Sequence, residues 1–267
     1  MSDKKRADGL MVEKGLAESR SKAQALIMSG VVYTEKVRID KPSMLLTDEE
    51  ITVREGLKYV SRGALKLEKG IRVFHVDPSD MVVMDVGAST GGFTDLLLQN
   101  GAAHVYSIDV GYGQLDWKLR EDSRVTVMER TNARYLNPED FERIPTLAVM
   151  DVSFISIMKI LPSIERILAD KGRVITLIKP QFEAGRDSVG KKGVVRDLDI
   201  HIQVIKTIRD FVQEHTRWTM KGLDYSPIKG PEGNIEFLAF LTPGKEDTSV
   251  NDEEIVRVVA GAHTDLD

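Results

Sequence analysis

The chain has 267 residues, a formal net charge of −5, 42% hydrophobic and 30% charged residues, and no cysteine. Without cysteine there is no disulfide framework, thiolate metal site or cysteine nucleophile, and the charge excludes a uniformly basic protein while leaving room for a local basic patch. No run approaches the ~18–20 apolar residues of a membrane helix, and the basic start MSDKKRADGLMVEKG lacks the apolar segment of a secretory signal, so a cytoplasmic location without a membrane partner is expected.

Residues 6–30 predict two short helices. The first carries Leu10, Met11 and Val12 and stops at Gly15; the second, capped by Ser19 or Ser21, runs to Ser29-Gly30. Its exposed start, SRSKAQ, places Arg20 and Lys22 beside orphan backbone N–H groups, a setting suited to phosphate. Strand-like pieces follow at Val31–Thr34 and Ile51–Val53, with a turn near Lys41-Pro42. A unit this small is a compact α+β module with a modest core. From 54 to 72, Arg54, Lys58, Arg62, Lys66, Lys69 and Arg72 face only Glu55 and Glu68, which reads as a phosphate-binding patch or as a solvated helix face; acidic residues gather at Asp48–Glu50 and Asp252–Glu254.

From Met81 the rhythm changes. Apolar runs at Met81–Val86, His104–Asp109, Val125–Met128, Leu147–Asp151, Val174–Lys179, Trp218–Tyr225 and Ile235–Leu241 alternate with helices at Gly92–Asn100, Ile155–Ala169 and Asp199–Glu214. Such alternation predicts an α/β fold, a largely parallel sheet covered on both faces. The last two strands lie close together and suit a hairpin, giving a seven-stranded Rossmann-like sheet of the methyltransferase type with an antiparallel strand at its end. Beyond Pro243, Ile255, Val256, Val258 and Val259 predict one face of a terminal helix. The five histidines, His75, His104, His201, His215 and His263, show no ligand spacing, so no metal is expected.

The segment MVVMDVGASTGGFTDLLLQNG is a strand, a glycine turn and a helix start, the place where an open α/β sheet binds a nucleotide. Asp109 ends the second strand, VYSIDVG, where its carboxylate suits ribose hydroxyls; NAD would use such a residue equally well. Ser89 stands where a dinucleotide fingerprint wants glycine, and a sulfonium cofactor tolerates the acidic Asp85, so S-adenosylmethionine is the preferred reading. In ERTNAR, Thr131 or Asn132 follows the third strand and is placed for adenine.

Four charged residues interrupt apolar sequence: Lys66 in SRGALKL, Asp151 ending LAVMD, Lys179 ending VITLIK, and Glu236 in NIEFLAF. Asp151 and Lys179 close adjacent predicted strands on the edge that carries the cofactor loop. Charges there are structural ion pairs or a convergent site. SRGALKL, DVGASTGGFTD, DVSFIS, IKPQFE and NIEFL resemble the motifs of FtsJ-type RNA 2′-O-methyltransferases, which share a Lys-Asp-Lys-Glu tetrad. The chain is most similar to the TlyA family, historically called hemolysins: RADGLMVEKGLAESRSKAQALIMSG resembles its S4-like RNA-binding module and GKKGVVRD, at 190–197, a loop of the family.

The resemblance covers nearly the whole chain. It implies residues 1–60 as an S4-like module with a short linker, 61–245 as the methyltransferase domain and 246–267 as a helical tail. It also implies Lys66, Asp151, Lys179 and Glu236 as catalytic residues, and Asp85, Gly87, Ala88, Ser89, Gly91, Gly92, Phe93, Asp109, Thr131, Asn132 and Asp151 as S-adenosylmethionine contacts. Arg6, Arg20, Lys22 and Arg62 would meet RNA. The implied substrates are cytidine riboses of ribosomal RNA, in 23S and in some members also 16S, met as RNA or as ribosomal subunits by a monomer or homodimer. One departure is visible: where some members have tryptophan before SRG, this chain has Tyr59.

A ribose hydroxyl is a poor nucleophile that needs positioning and a base. Lys179 is the candidate base, and its ordinary pKa of ~10.4 would have to fall toward ~7–8. Burial, Lys66 and a sulfonium push it down, while Asp151 and Glu236 push it up. Asp151 would orient Lys179, with Lys66 and Glu236 holding the ribose and its phosphate surroundings. The rival readings are a membrane-lytic hemolysin, a nicotinamide oxidoreductase, and an RNA-binding assembly factor without catalysis.

Overall fold

The computed structural model describes residues 4–28, 31–34, 37–47, 51–53, 58–185, 188–190, 193–230, 232–245 and 249–266. Ser29-Gly30, Asp48 to Glu50, Arg54, Glu55, and Lys191 and Lys192 of GKKGVVRD lie outside the described residues. The chain forms two compact units, Met1–Lys58 and Tyr59–Asp267.

In the first unit, strand β1 (Lys5–Arg6) runs into helix α1 (Ala7–Glu13), and Gly15 turns the chain at φ +70. Helix α2 (Arg20–Met28) begins at Ser19, whose Oγ accepts from Lys22 N at 3.2 Å, so Ser19 rather than Ser21 is the cap. Strands β2 (Val32–Thr34) and β4 (Ile51–Val53) pair antiparallel, and β3 (Leu45–Leu46) pairs with β1. Two-residue strands carry no periodicity, so the second pairing has no sequence signal. Ala7, Leu10, Met11, Ala23, Ile27, Val32, Ile39, Leu46 and Ile51 form the core.

The second unit opens with α3 (Ala64–Val73), whose Ala64, Leu67 and Gly70 are buried at helical spacing. The strands are β5 (Val82–Val86), β6 (His104–Ile108), β7 (Val125–Met128), β8 (Leu147–Met150), β9 (Arg173–Ile178), β10 (Trp218–Tyr225) and β11 (Phe237–Pro243). They are joined or followed by α4 (Gly92–Gln99), α5 (Trp117–Arg120), α6 (Leu161–Ile167), α7 (Pro180–Glu183), α8 (Leu198–His215) and α9 (Asp252–Leu266).

The sheet order is β10-β11-β9-β8-β5-β6-β7. Strands β5 to β9 are parallel, and β11 inserts antiparallel between β9 and the edge strand β10. The expected hairpin exists, but its second strand is internal. Alternate residues of each central strand enter opposite cores: Met84, Val86, Ala148, Met150 and Val174 one, Val83, Leu147, Val149, Ile175 and Leu177 the other. Burial on both faces explains the unbroken apolar runs.

Two expected elements differ. The helix expected over Ile155–Ala169 is a 3₁₀ turn at Ile157–Lys159 followed by α6, because Ser156 Oγ caps Met158 N at 3.2 Å and Pro162 restarts a helix at its first turn. The freed residues 151–155 follow the carboxyl end of β8 and line a cavity there. In α9 the buried face is Ile255, Val259 and Ala262, while Val256 is exposed, since residues three and four apart share a face and neighbours do not.

Candidate active site

β5 neighbours both β6 and β8, the point where the chain's path across the sheet reverses and where an open α/β sheet has its crevice. Gly87 leaves β5 at φ +87, and a Cβ there would stand 2.5 Å from the Asp151 carbonyl oxygen. Glycine therefore lets the turn press against the end of β8. Ser89 also adopts a left-handed conformation, φ +50, and donates its N–H to Asp109 Oδ2 at 2.8 Å. The other oxygen, Oδ1, accepts from Gly111 N at 2.7 Å. Both carboxylate oxygens retain acceptor capacity for hydroxyl groups.

Gly87, Ser89, Asp109, Thr131, Asn132 and Asp151 line one cavity of about 440 Å³, whose apolar walls include Ile108, Val110, Ala133 and Ile155. Its size and mix of apolar wall with few polar groups fit a nucleoside-sized ligand. Ala88, Gly92 and Phe93 line a smaller cavity of about 110 Å³ that shares Gly87, Ser89 and Asp151 with the first. Two predicted contacts line neither. A Cβ on Gly91 would lie 2.3 Å from Leu119 Cδ1, so this glycine serves packing against α5. Asp85 is fully buried, accepts from Thr94 Oγ1 at 2.7 Å, and is pushed up to about 7 by burial, against the lowering effect of that bond.

Next to this cavity the four predicted charged residues meet. Lys66, on the first turn of α3, places Nζ 2.7 Å from Glu236 Oε2 and 3.3 Å from Asp151 Oδ2. Lys179 Nζ lies 2.6 Å from Asp151 Oδ1, as an ion pair without hydrogen-bond alignment, and donates to Ser153 Oγ at 2.9 Å. The side chains of Lys66, Lys179 and Glu236 are at most 8% exposed and that of Asp151 19%, so the last opens the cluster to the cavity. Their convergence follows from strand direction. Asp151 and Lys179 follow the carboxyl ends of β8 and β9, and antiparallel β11 starts where β9 ends, Phe237 opposite Ile178, which brings Glu236 to the same edge. Burial lowers the Lys66 pKa, but the carboxylates of Asp151 and Glu236 outweigh it and hold the ammonium above the ordinary lysine value. Lys66 and Glu236 thus hold each other.

Several residues at the site lacked a sequence signal. Ser153 is a small polar loop residue like many others. Glu183 Oε1 accepts from Ile157 N at 2.9 Å, tying the 151–157 loop to α7, and burial raises its pKa against the bond from Ser156. Gly230 passes so close to Glu236 that a Cβ would meet Oε1 at 2.6 Å.

The basic run does not form one face: Lys66 is in the buried cluster and Lys69 binds Asp224 at 2.8 Å, while Lys58, Arg62 and Arg72 are exposed. In the first unit, Arg6 and Arg20 both donate to the buried carboxylate of Asp8, at 3.0 and 3.2 Å, and Gln24 donates at 2.9 Å. The start of α2 is therefore partly capped, by Ser19, instead of presenting all its orphan N–H groups, and Lys22 is exposed beside it. Among the described residues no group of three or more His, Asp or Glu side chains is arranged for a metal, and no helix is long and apolar enough to cross a membrane.

Residues 59–242 match the FtsJ-like methyltransferase family and residues 5–51 the S4 domain. The chain is 40% identical over 244 residues to the 16S/23S rRNA (cytidine-2′-O)-methyltransferase TlyA of Mycobacterium tuberculosis, covering 90% of this chain and 91% of that protein. It is 44% identical over 240 residues to Hemolysin A of Brachyspira hyodysenteriae, covering 88% and 98%. A solved structure from Streptococcus thermophilus, also under a hemolysin name, is 47% identical, covers 99% of this chain and 98% of that one, and superposes with a TM-score of 0.77. With an S4 domain ahead of an FtsJ-like methyltransferase domain and these relatives spanning almost all of it, the chain belongs to the TlyA family of methyltransferases.

Proposed function

We propose that this chain methylates the 2′-hydroxyl of a cytidine ribose in 23S ribosomal RNA, with S-adenosylmethionine as donor and cytoplasmic ribosomal RNA or ribosomal subunits as substrate. One observation carries the reading: Asp151 pairs with both lysines and also lines the nucleoside-sized cavity. In this reading Asp109 holds the cofactor's ribose hydroxyls, Thr131 or Asn132 its adenine, and Gly87 gives its chain room beside Asp151. Residues 1–60, through Arg6, Arg20 and Lys22, together with Arg62, hold RNA, and residues 61–245 carry the transfer.

Bound S-adenosylmethionine supplies a methyl carbon on a positive sulfur that departs as a neutral thioether. Lys179, as the neutral amine left after its ammonium has given a proton to water, would accept the 2′-hydroxyl proton at Nζ and later release it to water. Asp151 keeps Lys179 aimed, and Ser153 fixes a second direction of its Nζ. Lys66, held charged between two carboxylates, is the poorer base and acts as a fixed cation.

The test uses purified full-length protein, methyl-labelled S-adenosylmethionine and ribosomal subunits lacking the modification, with the site mapped by mass spectrometry. Label on a cytidine ribose is expected. Label on a base, or none on RNA, overturns the proposal.

A further inference from the structure

The FtsJ-like match ends at residue 242, yet the helix beyond it reaches the site through two chains of polar contacts. The apolar face of α9 packs through Ile255, Val259 and Ala262. His263 and Asp265 lie on the last turn and each begins one of the chains, the His263 ring also packing against that of His201 with centroids 5.0 Å apart.

The first runs through Tyr225. Its hydroxyl donates to the Asp265 carboxylate, and Gly261 lies against its ring. Lys69 Nζ sits 3.7 Å from the ring centroid, donates to the Tyr225 carbonyl at 2.7 Å and pairs with Asp224 at 2.8 Å. Lys69 is on α3, one turn beyond Lys66. The second runs through His201, which is fully buried. A carbonyl only accepts, so the 3.2 Å contact to Val195 O puts the hydrogen on His201 Nε2. In the neutral ring Nδ1 then accepts from His263 Nε2 at 3.0 Å. Val195 N donates to Asn234 Oδ1 at 3.0 Å, and Asn234 Nδ2 donates to Gly193 O at 2.9 Å. Asn234 is buried two residues before Glu236, and its carbonyl accepts from Gly230 N, the glycine pressed against Glu236.

One chain thus ends on the helix that carries Lys66 and the other on the loop that carries Glu236. Their ends meet in the 2.7 Å Lys66–Glu236 pair. We infer that His263 and Asp265 are positioning residues for methyl transfer, the last turn of α9 setting the Lys66–Glu236 pair from beyond the FtsJ-like match. This rests on the proposed function, and neither residue touches substrate or cofactor. Fixing both partners from one rigid turn keeps the pair in register, and small misplacements of such groups cost large factors in rate.

The test compares wild type, Asp265→Ala, His263→Ala, the double variant, the conservative pair Asp265→Asn and His263→Gln, and Glu236→Gln as reference. Asparagine still accepts from Tyr225, and glutamine still offers an N–H to His201. Turnover on ribosomal subunits and the Kd for S-adenosylmethionine are measured for each. The double variant should lose about 10-fold in kcat with cofactor Kd unchanged, and the conservative pair should recover most of it. Equal loss of kcat and cofactor affinity marks general destabilisation and overturns the inference, as does failure of the conservative pair to recover. Full turnover of the double variant while Glu236→Gln is slow overturns it alone. A wild-type chain that labels no RNA overturns the function on which it rests.

Discussion

Gly87→Ala tests whether the cofactor turn and the charged cluster are one mechanical unit. A β-carbon there would lie 2.5 Å from the Asp151 carbonyl oxygen and 2.9 Å from its carbonyl carbon, where ordinary contact begins at 3.4 Å. Both atoms are backbone, so relief needs a shift of about 1 Å between the turn and the end of β8, and it carries the Asp151 carboxylate away from Lys179 and Lys66. A misplacement of that size costs ~100-fold in rate. A side chain at φ +87 adds strain of about 1–2 kcal/mol, or roughly 2–8 °C in melting temperature for a domain of this size. The assay is methyl transfer to ribosomal subunits at saturating S-adenosylmethionine, beside a thermal melt. A folded Gly87→Ala variant that keeps turnover within about threefold would refute the coupling, because no catalytic group would then have been displaced.

Lys179→Ala and Lys179→Arg should both abolish transfer while calorimetry finds cofactor affinity near wild type, since a guanidinium keeps the charge but does not give up its proton; near-normal turnover of either removes Lys179 as the base. Asp85 binds its proton more tightly folded, at about 7, than unfolded, so its stabilising effect is complete below the ordinary carboxylate pKa and is lost as pH rises toward 7. Asp85→Asn should therefore gain stability relative to wild type as pH rises from about 4 to 7 in urea melts, and a constant difference would contradict the assigned burial. Asp8 has the opposite sign: the Arg6 pairing lowers its pKa despite burial, so its contribution is present at neutral pH and lost as acid protonates it. Asp8→Ala should cost the first unit about 1–3 kcal/mol, read as faster amide exchange across Ala7–Glu13, and unchanged exchange would show the arginines hold nothing there.

Local physics was legible in the residues themselves. Short, mainly apolar runs such as VVMDV and LAVM, alternating with helical segments, read as strands buried on both faces, and they fall within a residue or two of β5 and β8. Gly15 ended α1 for want of any other residue suited to φ +70. Misreadings occurred where partners far along the chain decide. The run 54–72 read as a mainly basic patch or a solvated helix face, but Lys66 and Lys69 are neutralised by Glu236, Asp151 and Asp224, up to 170 residues away. At Gly91, too, distant partners act: a β-carbon there would meet Leu115 and Leu119.

By itself, the order of residues determined the two-unit plan, the strand and helix periods, and the four charged positions that break them, because backbone preference and hydrophobic rhythm act over a few neighbours. Only the tertiary structure decided that Glu236 faces Lys66, that Asp151 serves both lysines, and that the last turn of α9 reaches both members of the pair. Those contacts depend on β11 running antiparallel between β9 and β10, a choice made by the packing of whole strands and invisible to any short window of sequence.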